Sequence, residues 1–311
     1  MQLTNESLDN IKKGIEEEGA KRILLQVPEG LKMQAQKVAK ELEKDGLKVF
    51  VSADPCYGAC DIRDHEAKLL KCDLLVHIGH TNFGLETDIP VLYEEYRLEA
   101  NPTPILEEHM DLLNKERIGL ATTLQYLDSL EPIKKLLEDK GKKVFLGQPQ
   151  LAKYPGQVLG CDFSGAKSIE NDVDLFLFIG TGMFHSSEFA NQTEKPVLYL
   201  DLESKTIRAL EKERLQRIRF AQIEKAKECQ NFGIFVSTKP GQFFLERAEK
   251  AKQLLEEKGK NAWIIVTNEI SPEKLLGMNI DCIVNCACPR IREDHEAFKK
   301  TIINADDVDR I

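Results

Sequence analysis

At 311 residues, with 42% hydrophobic and 31% charged content, the chain has the composition of an ordinary globular protein of two or three domains and can bury a substantial core. A net charge of −9 argues against a protein that tracks nucleic-acid phosphates, and the longest apolar runs, at 74–78 and 175–179, are far too short to cross a bilayer. Eight cysteines are too sparse for a secreted disulfide scaffold, and the N-terminus shows no apolar signal-peptide core, so a cytoplasmic protein with thiols free to take metal is expected.

The first 20 residues predict a helix with Leu8, Ile11 and Ile15 on one face. A buried strand at 22–27 follows, then an amphipathic helix carrying Leu31, Ala35, Val38 and Leu42, which Gly46 stops. Next come a strand at 48–52, a variable loop, Asp73 opening an apolar strand at 74–78, and a short strand at 91–93 announced by Pro90. Asn101, Pro102 and Pro104 break the chain, and the template restarts. Its second copy has a strand at 117–121, the stripe Tyr126, Leu130, Ile133 and Leu137, then Gly141 and a strand at 143–147. Asp174 precedes the apolar strand at 175–179, and Pro196 precedes 197–200. A charged stretch at 203–230 predicts a joining helix. The third copy runs through 233–237, the stripe Phe244, Ala248, Ala251 and Leu255, then Gly259, 262–267, Asp281 with 282–286, and 301–304. Strands apolar on both faces and alternating with helices indicate parallel sheets covered on two sides. The expected fold is therefore α/β, with three pseudo-repeated doubly wound parallel-sheet domains at 1–105, 106–205 and 206–311, the last carrying the linker helix.

Such sheets bind ligands beyond the C-terminal ends of their strands. Cys60 follows the second strand of the first copy, Cys161 the second strand of the second, and Cys288 the third strand of the last. Three sulfurs from three copies, with one position left open, are what a catalytic [4Fe-4S] cluster needs. Cys56, Cys72, Cys229, Cys282 and Cys286 read as small packing residues. Cys56 and Cys286, near Cys60 and Cys288, also allow a four-thiolate zinc site, but their spacings match no zinc knuckle or ribbon and Cys161 would go unused.

Other candidates lie in equivalent turns. Lys239, Gly241 and Gln242 follow the first strand of copy three, where backbone N–H groups can hold a carboxylate; a helix-starting turn with a solvated lysine reads equally well. Glu29 and Gly30 occupy the same place in copy one, as a hydrogen-bond acceptor and a point of close ligand approach. His80 and Arg290 follow the third strands of copies one and three. His80 can bond a cofactor or assist proton loss, and a locally satisfied histidine is the commoner fate. Arg290 can stabilise an anionic cluster or carboxylate, or pair with Glu293 or Asp294. His65, His109, His185 and His295 lie at no metal-binding spacing.

The Tyr57-Gly58-Ala59-Cys60-Asp61 run, the Pro28-Glu29-Gly30-Leu31 turn, Gly79-His80, Ser237-Thr238-Lys239-Pro240-Gly241-Gln242 and Cys288-Pro289-Arg290 together resemble the archaeal first-step enzymes of diphthamide biosynthesis, over essentially the whole chain. The resemblance implies that Cys60, Cys161 and Cys288 ligate a [4Fe-4S] cluster at the centre of a three-domain subunit of a homodimer. It implies an electron passed from an electron donor through the cluster to S-adenosylmethionine, cleaving its Cγ–S bond to a 3-amino-3-carboxypropyl radical and methylthioadenosine. The radical then adds to imidazole C2 of a histidine in translation elongation factor 2. Two alternatives compete: a quinolinate synthase-like [4Fe-4S] dehydratase, also built of three α/β repeats with one cysteine each, and a nonenzymatic zinc-binding scaffold.

Overall fold

The computed structural model describes residues 3–311, apart from the side chains of residues 184 and 213–215. Thr4 caps the first helix, α1 (Asn5–Glu17), by accepting a hydrogen bond from the Ser7 N–H at 3.1 Å, and α1 buries Ile11 and Ile15. The first unit continues as β1 (Arg22–Gln26), α2 (Lys32–Lys44), β2 (Lys48–Val51), α3 (Asp64–Leu69), β3 (Leu74–Ile78) and β4 (Val91–Glu94). The second comprises α4 (Thr103–Glu108), β5 (Arg117–Thr122), α5 (Leu130–Asp139), β6 (Lys143–Phe145), α6 (Ser164–Ser168), β7 (Leu175–Gly180), α7 (Met183–Gln192), β8 (Val197–Asp201) and β9 (Thr206–Ala209). The third comprises α8 (Lys212–Glu228), β10 (Asn231–Ser237), α9 (Leu245–Glu257), β11 (Asn261–Thr267), β12 (Cys282–Asn285), α10 (His295–Phe298) and β13 (Thr301–Asn304).

Each unit holds one sheet, with strand orders β2-β1-β3-β4, β6-β5-β7-β8-β9 and β11-β10-β12-β13. All pairings are parallel except β8 with β9. The helix stripes read from sequence do the packing: α2 buries Ala35, Val38 and Leu42, α5 buries Leu130, Ile133 and Leu137, and α9 buries Ala248, Ala251 and Leu255. Each helix is followed by a glycine with φ of +83° (Gly46), +79° (Gly141) or +74° (Gly259), a conformation that favours glycine.

The recurring aspartate has a structural reason. Asp73 Oδ2 accepts the N–H groups of Lys21 and Arg22 at 2.9 Å each, locking the start of β3 against the start of β1. Asp174 does the same for Arg117 at 3.2 Å, and Asp281 for Asn231 at 2.9 Å. Pinning the two central strands at their N-terminal ends sets the register that carries their C-terminal ends to a common edge.

Two expectations change. Tyr126 and Phe244 lie outside their helices: Tyr126 sits at a kink in the 3-10 turn before α5, and Phe244 is the residue before α9. The division at residue 205 moves, because β9 pairs antiparallel with β8 and so extends the second sheet to Ala209. The charged composition of 203–230 masked the short strand Thr206–Ala209, whose Ile207 the sheet buries.

The C-terminal ends of the three sheets face one another. The Gly241 N–H donates to the Cys60 carbonyl at 2.8 Å, joining the third unit to the first. Arg290 reaches Glu188 at 3.5 Å, joining the third to the second. The Gln157 amide reaches Thr81 Oγ1 at 3.4 Å, and Tyr154 Oη donates to Glu95 at 2.9 Å, joining the second to the first.

Candidate metal centre

Each cysteine loop is fixed by backbone hydrogen bonds before its thiol is considered. After β2, the Asp61 N–H closes a turn onto the Gly58 carbonyl at 3.1 Å. After β6, Asp162 accepts N–H groups from Leu151, Ala152 and Ser164 at 2.8, 3.0 and 2.9 Å and so shapes the loop holding Cys161. After β12, Asn285 Nδ2 donates to the Cys288 carbonyl at 2.8 Å, and Cys288 caps a 3-10 turn at Pro289–Asp294. Among the eight cysteines none is in a disulfide.

The three thiols converge. Cys161 is surface-accessible on one side and crowded by protein on the others. That crowding, with Cys60 and Cys288 close by, pushes its thiol up to about 12. Burial likewise raises the Cys60 and Cys288 thiols, and the nearby positive charge of Lys239 pulls both partly back. Three soft sulfurs brought near one another, with cations nearby, form a donor set for iron and sulfide rather than a packing core. Metal binding removes the protons that these thiols otherwise retain. The residues present thus fit a [4Fe-4S] cluster, which Cys60, Cys161 and Cys288 would hold.

A cavity of about 170 Å³ beside Cys288 is lined by Tyr57, Lys239, Gln242, Glu269 and Arg290, among others. Lys239 is not the solvated lysine that the turn alone allowed. It is 3% exposed, its ammonium lies 2.9 Å from Asp61 and 2.7 Å from Glu269, and it sits 4.8 Å from the centre of the Tyr57 ring. Burial opposes that charge, but Glu269 and Asp61 outweigh it, and the pKa is raised. Arg290 is buried too and takes the local partner foreseen for it, Glu293, together with Glu188 of α7. Gln242 Nε2 lies 3.2 Å from Cys60 Sγ, in place to donate to the thiolate.

Three candidates serve a different end. The N–H groups of Gly241 and Gln242 are not free to hold a carboxylate, because they donate to the carbonyls of Cys60 and Lys239 at 2.8 and 2.9 Å. Gly241 is needed for close approach, since a Cβ there would lie 2.6 Å from the Cys60 Cα. Glu29 is exposed and pairs with Lys32 at 2.5 Å.

Gly30 instead lines a second cavity of about 300 Å³ between the first two units, with Pro28, Gly79, Tyr126, Thr181 and His185. Sequence spacing passed over His185, yet it lies near both Arg290 and His80, and burial lowers it to about 4. His77 was likewise passed over. It is fully buried within β3, and its Nε2 lies 2.9 Å from His80 Nδ1. The available signal was a histidine inside an otherwise apolar strand. Cys56 offers its sulfur within 4.8 Å of the ligand nitrogens of both histidines, whereas Cys286 belongs to the apolar core of the third unit. The Cys56-Cys286 pairing of a four-thiolate site is therefore not assembled.

The diphthamide synthesis protein family profile matches residues 27–309. A 2-(3-amino-3-carboxypropyl)histidine synthase from Pyrococcus horikoshii is 37% identical over 295 residues, covering 94% of this chain and 85% of its own. Subunit 1 of that synthase from Caenorhabditis elegans is 31% identical, covering 88% and 71%. Crystal structures of Dph2 from Pyrococcus horikoshii, one of them with a 4Fe-4S cluster, superpose with a TM-score of 0.92 at 36% identity, covering 97% of this chain and 89% of theirs. Because the match takes in all three cysteine loops and nearly the whole length, the chain belongs to the diphthamide synthesis protein family.

Proposed function

We propose that the protein is a radical 3-amino-3-carboxypropyl transferase that modifies imidazole C2 of a histidine in translation elongation factor 2, the first step of diphthamide biosynthesis. The observation that carries this reading is the proximity of three thiols from loops of three separate units, each near enough to bear on another's pKa. When bound, a [4Fe-4S] cluster supplies the electron that cleaves the Cγ–S bond of S-adenosylmethionine, releasing methylthioadenosine.

The chain's own residues bind, orient and exclude water. Cys60, Cys161 and Cys288 hold the cluster and leave one corner open for the sulfonium substrate. Lys239 and Arg290, both buried, offset the negative charge of the thiolates and present donors to the methionyl carboxylate. Gln242 stabilises the Cys60 thiolate, and Gly241 holds the Cys60 backbone in place. Gly30 borders the cavity and leaves room for the substrate, and His80, next in the chain to the cavity-lining Gly79, offers a ring nitrogen. Glu29 lies at the rim as an acceptor beside Lys32. The partner is a protein, so the surface around the cavities must admit a histidine-bearing loop. A homodimer, an external electron donor and a cytoplasmic setting complete the proposal; no described helix is long and apolar enough to cross a membrane.

The test is anaerobic incubation with S-adenosylmethionine, dithionite and elongation factor 2. Methylthioadenosine release with a matching mass gain on one histidine is the expected result. Quinolinate formed from iminoaspartate and dihydroxyacetone phosphate, or a colourless zinc protein, would overturn it.

A further inference from the structure

We infer that Gln26 and His77 are positioning residues that lock His80 in the tautomer protonated at Nδ1, so that its Nε2 presents a lone pair to the N–H of the target imidazole. This rests on the proposed reading of His80 as a site residue.

The chain of logic begins at an amide whose orientation is forced. Gln26 Nε2 lies 2.5 Å from the Asp61 carbonyl, which only accepts, and Gln26 Oε1 lies 3.3 Å from the Arg63 N–H, which only donates. Turning the amide over would set donor against donor and acceptor against acceptor. Oε1 therefore faces His77, its cross-strand partner in the β1–β3 register, and at 3.1 Å from Nδ1 it requires the proton there. His77 is fully buried, with no carboxylate among its hydrogen-bond partners, so a second proton is strongly disfavoured and Nε2 stays a lone pair. His80 Nδ1, 2.9 Å away, must donate to that lone pair. His80 is itself held neutral, burial lowering it to about 4, so its proton is spent inward and the opposite nitrogen is left bare. Among the described residues, no hydrogen-bond partner meets His80 Nε2, and the residue is only half-buried.

The lock is anchored where it matters. Asp61 and Arg63 belong to the loop that carries Cys60, so the same backbone that places a cluster ligand also orients the Gln26 amide. A neutral imidazole has one N–H, and C2 is bonded to both ring nitrogens. An N–H donated to His80 Nε2 therefore fixes where C2 lies relative to the sulfur centre.

The structural test is tautomer assignment by long-range proton–nitrogen NMR on the cluster-loaded, oxidised protein labelled with ¹⁵N-histidine. Wild type should show both His77 and His80 protonated at Nδ1; a His80 proton on Nε2 overturns the lock. Gln26→Leu frees His77 to move its proton to Nε2 and should flip His80 as well, whereas Gln26→Glu sets an acceptor against the Asp61 carbonyl and a carboxylate against His77, and should not retain the wild-type pattern. Unchanged tautomers in Gln26→Leu would also overturn it. The functional readout is coupling. Gln26→Leu should release methylthioadenosine at a near-normal rate while transfer to elongation factor 2 falls about tenfold or more. Equal loss of both products in Gln26→Leu would mark Gln26 as structural only. Zinc taken up stoichiometrically by the cluster-loaded protein, and lost in Cys56→Ser, would make the pair a metal site and overturn the proposal. Failure of wild type to form methylthioadenosine sinks the proposed function but leaves the tautomer assignment standing, so the two are separable.

Discussion

At the scale of residues, the centre is defined by how strongly the protein resists charging its own thiols. A Cys161 pKa near 12 means that in cluster-free protein the thiolate is a minute fraction at neutral pH. The shift disfavours the charged form, so the alkylation rate of cluster-free Cys161 should keep climbing about tenfold per pH unit through pH 10. An ordinary cysteine would level off near pH 9. Mass-spectrometric alkylation against pH checks this, and cluster loading should abolish the reaction at every pH. Changing any one of Cys60, Cys161 or Cys288 to alanine should remove most of the iron and all methylthioadenosine formation, while Cys229→Ala keeps both, by iron analysis and visible absorption. Full iron in Cys161→Ala would end the ligand assignment. Lys239 and Asp61, each under 4% exposed, make a buried pair whose rupture leaves a charge stranded. Lys239→Met should destabilise the fold by about 3–5 kcal/mol, and the double change with Asp61→Asn by less, in chemical denaturation.

At the scale of elements, strand ends and the turns after them decide the geometry. The Gly241 turn packs so closely on the Cys60 loop that a methyl group would stand 2.6 Å from a backbone carbon. Gly241→Ala should therefore displace Cys60 and deplete iron, with secondary structure by circular dichroism unchanged. Gly259→Ala is the contrast: it meets open space, but at φ +74°. It should cost about 1 kcal/mol of stability and leave iron content alone. The two substitutions separate a glycine needed for contact from one needed for conformation.

At the scale of the whole molecule, the proposed ligand set takes one cysteine from each unit, so cluster binding would add a tie between units that already meet through hydrogen bonds and ion pairs. Binding to the folded state alone stabilises it by about 2.7 kcal/mol at a hundredfold excess over Kd. For a chain of this size that corresponds to a rise in Tm of roughly 4 °C. Anaerobic thermal unfolding with and without the cluster should show that rise, and exposure to air should reverse it. Identical transitions would mean that the ligands do not bridge the units.

The amino-acid order by itself determined the periodic features: three copies of strand, amphipathic helix and glycine stop, the aspartate before each third strand, and the cysteines after the strands. These depend on spacing and local conformation, which the neighbours in sequence set. It also pointed to Cys60, Cys161 and Cys288 as the proposed ligand set, one cysteine drawn from each copy. Only the tertiary structure decided which groups face the centre. Lys239 became a buried ion pair because Asp61 and Glu269 arrive from elsewhere in the chain. The Gly241 and Gln242 amides were consumed by neighbouring carbonyls. His77 and His185 gained their places from packing that no spacing encodes, and β9 joined the second sheet because Ile207 could be buried there despite its charged surroundings. Local pattern is written in adjacent residues, but burial, pairing and charge depend on what folding brings from a distance.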